Sequence, residues 1–180
     1  YDTETQDLLP VHAQDGQELG DNFRLPPVKV INPTQRTPTH KSAAQFGSLA
    51  TLLGYDVALP AAAIHAGDHF TITLYYRSAA TTSADYTRFV HVYNPTTGMA
   101  AQFDSPPQNG INPTWSWAPG EVIVDPVGLE VAKDAKPGAY TVYIGFYEPK
   151  ANNARLAVSD ANGKAVPDDQ VPLVTLTLQP

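Results

Sequence analysis

Eighteen acidic residues and five histidines supply the groups from which acid–base or metal chemistry would be assembled, and there is no cysteine. Disulfides, thiolate nucleophiles, zinc fingers and iron–sulfur clusters are excluded on that ground. His65 and His69 stand four apart, a spacing that puts two ligands on one face of a helix. Gly67–Asp68 places a turn between them, and the shared face is lost. His91, between Phe89 and Tyr93, reads as a hydrogen-bonded strand histidine rather than a base. Asp104, Asp125 and Glu148 fall at expected strand ends. A sandwich edge can hold a structural Ca²⁺ there with carboxylates and carbonyls, so Asp104 and Asp125 are the candidate metal ligands. Acids in such places also cap turns. A glycosidase needs two carboxylates across a cleft, and that reading ranks last. No GxSxG elbow, phosphate loop, dinucleotide fingerprint or HExxH occurs. The expectation is a protein that is not an enzyme and carries no cofactor beyond such a Ca²⁺.

The aromatic residues offer a different chemistry, stacking on a ligand face. Trp115 and Trp117 flank Ser116 inside AQFDSPPQNGINPTWSWAPGEVIVD (101–125). In an extended segment they would point to opposite sides. Trp117, which leads into the following strand, is expected as a core plug, and Trp115 as the exposed ligand platform. Tyr75, Tyr143 and Tyr147 would extend an aromatic patch on an outer sheet face, although Tyr is also an ordinary strand residue.

These side chains are positioned by strands. HFTITLYYR (69–77) sets Phe70, Ile72, Leu74 and Tyr76 against Thr71, Thr73, Tyr75 and Arg77. AYTVYIGFYE (139–148) sets Tyr140, Val142, Ile144 and Phe146 against Thr141, Tyr143, Gly145 and Tyr147. Period two of this kind marks a strand with one buried face. In YTRFVHVYN (86–94) both faces are partly apolar, and the period does not say which points inward. PTTG (95–98) and Asn162–Gly163 read as hairpin turns. Gly54 interrupts LATLLGYDVAL (49–59) and predicts a bulge. EVIVD (121–125) is expected to stop at Pro126. Proline at 106, 107, 113 and 119 forbids a regular helix in the long crossover. With 17 Pro and 12 Gly between eight or nine strands, the fold class is all-β. It is a two-sheet antiparallel sandwich, immunoglobulin-like or jelly-roll. The sandwich is assigned to 46–180. Residues 1–45 read as an extended arm or linker holding one short strand, VKVI (28–31).

With 180 residues, 42% hydrophobic, the chain can build a real core. Charged residues make up only 16%, against the usual ~25%. The surface is therefore covered largely by small polar groups. A net charge of −7 with scattered Lys and Arg excludes nucleic acid and disfavours direct binding to an anionic membrane. No apolar run reaches the ~20 residues of a bilayer span, so no direct membrane insertion is expected in this segment. The first residue is Tyr1 rather than Met, and a further segment is expected upstream.

Several phrases stand in order: LLGYDV (52–57), AGDHFTITLYYR (66–77), DYTRFVHVYN (85–94), AQFDSPP (101–107), PTWSWAPGEVIVD (113–125), KPGAYTVYIGFYEP (136–149) and RLAV (155–158). Together they resemble the extracytoplasmic C-terminal β-sandwich domain of bacterial polytopic glycosyltransferase-like membrane proteins of the dolichyl-phosphate-mannose type. The chain departs from that pattern at Tyr76, where the pattern has Trp, and at 108–110, where it has a glycine pair. Catalysis in such proteins belongs to their membrane region, so the resemblance implies no catalytic residue here. It implies a periplasmic or cell-surface address, attachment to the membrane through an upstream segment, and an accessory role. The partner would be glycan, another protein, or the protein's own membrane region. The alternative is a structural subunit of a surface assembly that uses its N-terminal arm for strand exchange.

Overall fold

The computed structural model describes His12 and residues 14–18, 37–61 and 63–180. VKVI (28–31) and most of the expected arm lie outside the described residues. His12 and residues 14–18 belong to a unit separate from the one that carries the sheets. In it His12 bridges Glu18, and the Gln17 N–H donates to Asp15 Oδ1 at 3.1 Å.

The strands are β1 (His40–Lys41), β2 (Gln45–Phe46), β3 (Ala50–Ala58), β4 (His69–Ser78), β5 (Thr87–Asn94), β6 (Gly98–Ser105), β7 (Val122–Glu130), β8 (Gly138–Glu148), β9 (Ala154–Arg155), β10 (Val158–Ser159) and β11 (Val171–Leu178). They pair antiparallel in two sheets. The six-stranded sheet has the order β10-β2-β3-β4-β7, with β1 on β3. The five-stranded sheet has the order β11-β8-β5-β6, with β9 on β8. No α-helix occurs among the described residues, and none of their helices is long and apolar enough to cross a membrane. The chain is an all-β sandwich, as its alternation requires. Strand pairing begins at His40, so the six-stranded sheet includes residues 40–41 and 45 ahead of Phe46.

The core is the two inward rows read from the sequence. Phe70, Ile72, Leu74 and Tyr76 of β4 face Tyr140, Val142, Ile144 and Phe146 of β8, all buried. Trp117 lies on both rows, its ring centroid 6.0 Å from Tyr76 and 6.3 Å from Phe146. The Tyr55 hydroxyl donates to Leu173 O at 2.6 Å and ties β3 to β11. The ladder between β3 and β4 slips between Leu52 and Gly54, which is the expected bulge. Gly54 has φ +152°, and a Cβ there would collide with His40 O and Pro38.

One strand end is corrected. β7 does not stop at Pro126. It runs on to Glu130, with Pro126 opposite Thr73. A proline ends a strand only where its missing N–H was needed by a neighbour. β7 is the edge of its sheet among the described residues, so that side of Pro126 has no strand to serve. Asp125 therefore sits in mid-strand, on the inward row with Ile123, Val127 and Leu129.

The crossover 106–121 carries the chain from β6 to β7 through two 3₁₀ turns, Pro107–Gly110 and Thr114–Ser116. It is pinned by Thr114, whose hydroxyl accepts the Tyr86 N–H at 2.9 Å and donates to Ala84 O at 2.8 Å.

Candidate functional site

The outer face of the five-stranded sheet gathers the polar and aromatic groups. Period two in β5 sends Arg88, Val90 and Val92 inward and leaves Phe89, His91 and Tyr93 outside. β8 adds Tyr143 and Tyr147 to the same outer face, because its inward row is Tyr140, Val142, Ile144 and Phe146. In register, His91 lies opposite Tyr143 on β8 and Gln102 on β6.

Two depressions adjoin on this face. One, of about 350 Å³, is lined by Phe89, His91, Asp104, Tyr147, Asn153 and Arg155. The other, of about 270 Å³, is lined by His91, Tyr93, Met99, Tyr143, Arg155, Asp168 and Gln170. His91 and Arg155 belong to both and form the waist between them.

Each waist residue is fixed. His91 Nε2 lies 3.1 Å from Asp104 Oδ1, and its ring lies 4.7 Å from that of Phe89, tilted by 32°. The Tyr147 phenol also meets Asp104. Burial first, then the Asp104 carboxylate, push that phenol above its ordinary value. Arg155 reaches the face because the chain reverses at Asn152 and Asn153, both with positive φ, a conformation that Asn tolerates better than most residues. The reversal lays β9 beside the end of β8, with Arg155 opposite Tyr147. The Arg155 guanidinium then lies 4.8 Å above the centre of the Phe89 ring. Its Nη1 donates to Asp168 O at 2.6 Å and to Gln170 Oε1 at 3.4 Å. Phe89 is buried although it faces outward, since its ring crosses Gly145, where any side chain would overlap it.

The residues singled out from the sequence divide. Tyr143 and Tyr147 come together on this face. Tyr75 does not belong to an exposed patch. It lies on the outer side of the other sheet, buried, with its hydroxyl donating to Asp56 Oδ2 at 2.7 Å. That bond, with the Thr39 N–H, holds the Asp56 carboxyl below its ordinary value. Trp115 is 56% exposed on the crossover and does not line these depressions. Trp117 is the plug, with its indole N–H donating to Asn112 O at 3.0 Å. The segment between them is a 3₁₀ turn rather than extended chain.

The two candidate metal ligands are not brought together. Asp104 lies on the outer face with His91. Asp125 is sealed in the core, where its Oδ2 accepts from Arg88 Nε at 3.1 Å and its Oδ1 from the Gln108 N–H at 2.8 Å. Burial pushes the Asp125 carboxyl above its ordinary value, and Arg88 and the Gln108 N–H pull against that. Among the described residues no three His, Asp or Glu side chains cluster as a metal site.

Sequence reasoning missed Arg155 and the outward placement of Phe89. RLAV, in which Arg155 stands, is too short to show a period. The Arg88–Asp125 pair had one available signal, a basic residue on the same alternate row as Val90 and Val92.

The fold and this face define a two-sheet β-sandwich with an open, aromatic-lined groove on one sheet. No family model matches the chain, and no curated protein matches it. Among solved structures it is similar to the crystal structure of the C-terminal domain of wzt, at 12% identity and a TM-score of 0.49, over 82% of this chain and 83% of that one.

Proposed function

We propose that this chain is a non-catalytic, extracytoplasmic binding module, carried by a membrane glycosyltransferase-like protein, that holds a saccharide chain on the outer face of its five-stranded sheet. The observation that carries this reading is the row of Tyr93, His91, Tyr143 and Tyr147 along two adjoining open depressions. Aromatic rings present flat apolar faces that suit the C–H faces of sugars, while their polar edges keep a partner in water. A groove open along its length suits an extended polymer better than an enclosed small molecule. Gln170 and Asn153 stand among the lining residues as hydrogen-bonding groups.

The reading takes the module as non-catalytic. Glycoside hydrolysis needs two opposed carboxyl groups. Each depression has one, Asp104 or Asp168, and Asp104 is engaged by His91 and Tyr147. The extracytoplasmic address and the attachment to a glycosyltransferase-like membrane protein rest on the ordered phrases at 52–158.

A glycan array followed by calorimetry on the retained saccharides tests the reading. Wild type is expected to retain oligosaccharides, and Tyr143→Ala and Tyr147→Ala to lose about tenfold or more in affinity, with melting temperatures near wild type. No retention by wild type, or full retention by both variants, overturns it.

A further inference from the structure

Arg155 is an exposed cation held at one nitrogen that makes no ion pair among the described residues, although the Asp104 and Asp168 side chains line the same depressions. Its guanidinium rests on the Phe89 ring and is held at Nη1 by Asp168 O and Gln170 Oε1. Its Nε and Nη2 have no protein acceptor among the described residues, and it takes part in none of their ion pairs. The carboxylate at the waist, Asp104, is taken up by His91 and Tyr147.

Holding an arginine in one geometry costs rotamer entropy. Clamping the 168–170 segment needs only the nitrogen already bonded there. The arrangement goes further than that. Gly145 lacks a side chain, Phe89 lies across it, and Arg155 lies across Phe89, so three residues on three strands set the height and tilt of one exposed fork. A planar fork with two free nitrogens fits a carboxylate or a phosphate through paired hydrogen bonds. The chain as a whole carries −7, so this local cation runs against the general charge.

We infer that the groove takes an acidic saccharide, whose carboxylate or phosphate is gripped by Arg155 at the waist while neighbouring sugar rings lie on Tyr143 and Tyr147. This rests on the saccharide-binding reading above and names the class of its ligand.

The test uses matched oligosaccharides of shared backbone that bear a hexuronate, a phosphate or neither, measured by calorimetry at low salt on the 180-residue chain. An acidic member is expected to bind at least about tenfold more tightly than its neutral counterpart. The arm that shows the preference tells carboxylate from phosphate. Arg155→Gln is expected to abolish the difference and leave neutral affinity in place, while Tyr143→Ala weakens all arms alike. Equal binding of acidic and neutral members by wild type, or a preference that survives Arg155→Gln, overturns the inference and leaves the groove standing. Binding of no member removes the groove reading as well. Where Arg155→Gln melts early, wild type decides alone: the preference must shrink as salt rises to about 0.2 M, and a salt-independent preference overturns it.

Discussion

The guanidinium of Arg88, on the five-stranded sheet, reaches across the core to the carboxylate of Asp125 on the six-stranded sheet, and both side chains are fully buried. Arg88 Nη1 also donates to Phe103 O at 3.0 Å, and Asp125 receives the Gln108 N–H, so the pair fastens strand, edge and crossover together. An ion pair in such a place is weak evidence of net stability, because desolvation offsets the attraction. Removing one partner is another matter. Arg88→Met is expected to cost roughly 3–5 kcal/mol, since the buried Asp125 carboxyl then loses its cation and keeps only the Gln108 N–H. The double variant Arg88→Met/Asp125→Leu is expected to recover most of that loss. Chemical denaturation of the three proteins decides it, and a double variant no more stable than the single one would sink the argument.

Tyr76 lies beside the same pair, and its hydroxyl is buried without a hydrogen-bond partner. Burial above all, and Asp125 next, push its phenol far above the ordinary value. Deleting the hydroxyl removes a desolvated polar group and leaves the aromatic contacts with Trp117, Phe146 and Phe46. Tyr76→Phe is expected to be neutral or to stabilise by up to about 1 kcal/mol. A thermal melt lowered by several degrees would show a partner that the structure does not reveal.

Gly145 is where the outer face is built. A methyl there would meet the Phe89 ring on one side and Asp169 O at 2.9 Å on the other. The backbone cannot swing away as a flexible side chain would. Gly145→Ala is expected to cost about 1–3 kcal/mol and, by tilting Phe89, to move the Arg155 fork. Denaturation measures the first effect. An indifferent Gly145→Ala would mean that Phe89 has another rotamer open to it.

Asp56 sets part of the acid limit. Its folded value lies below the ordinary 3.8 because the Tyr75 hydroxyl and the Thr39 N–H donate to the charged form. A lowered folded value means that the unfolded chain binds the proton more tightly. The stability it adds is therefore complete above the ordinary value and is lost as pH falls below it towards the folded one. Melting temperatures between about pH 5 and pH 3 should fall less steeply for Asp56→Asn than for wild type. Parallel slopes would assign the acid limit to other carboxylates.

What the sequence made legible follows the reach of its signals. The rows of β4 and β8 alternate without conflict, so the core faces and the sandwich could be read directly. Gly54 announced its bulge, and Trp117 its burial. β5 was ambiguous because Arg88 shares a row with Val90 and Val92, while Phe89 sits on the wet side. Both placements are settled by contacts far along the chain: Asp125 is 37 residues from Arg88, and Arg155 covers Phe89. The same reason explains the site. Tyr143 and Tyr147 were placed by alternation alone. Tyr75 and Asp125 were misjudged because period two tells which side a residue takes, and neither what covers it nor what it meets there.

Pro126 has one more effect. An open sheet border is a template onto which another polypeptide can zip, and this border lacks a donor at its midpoint. Zipping by a second polypeptide along β7 therefore loses a hydrogen bond at the middle of the strand.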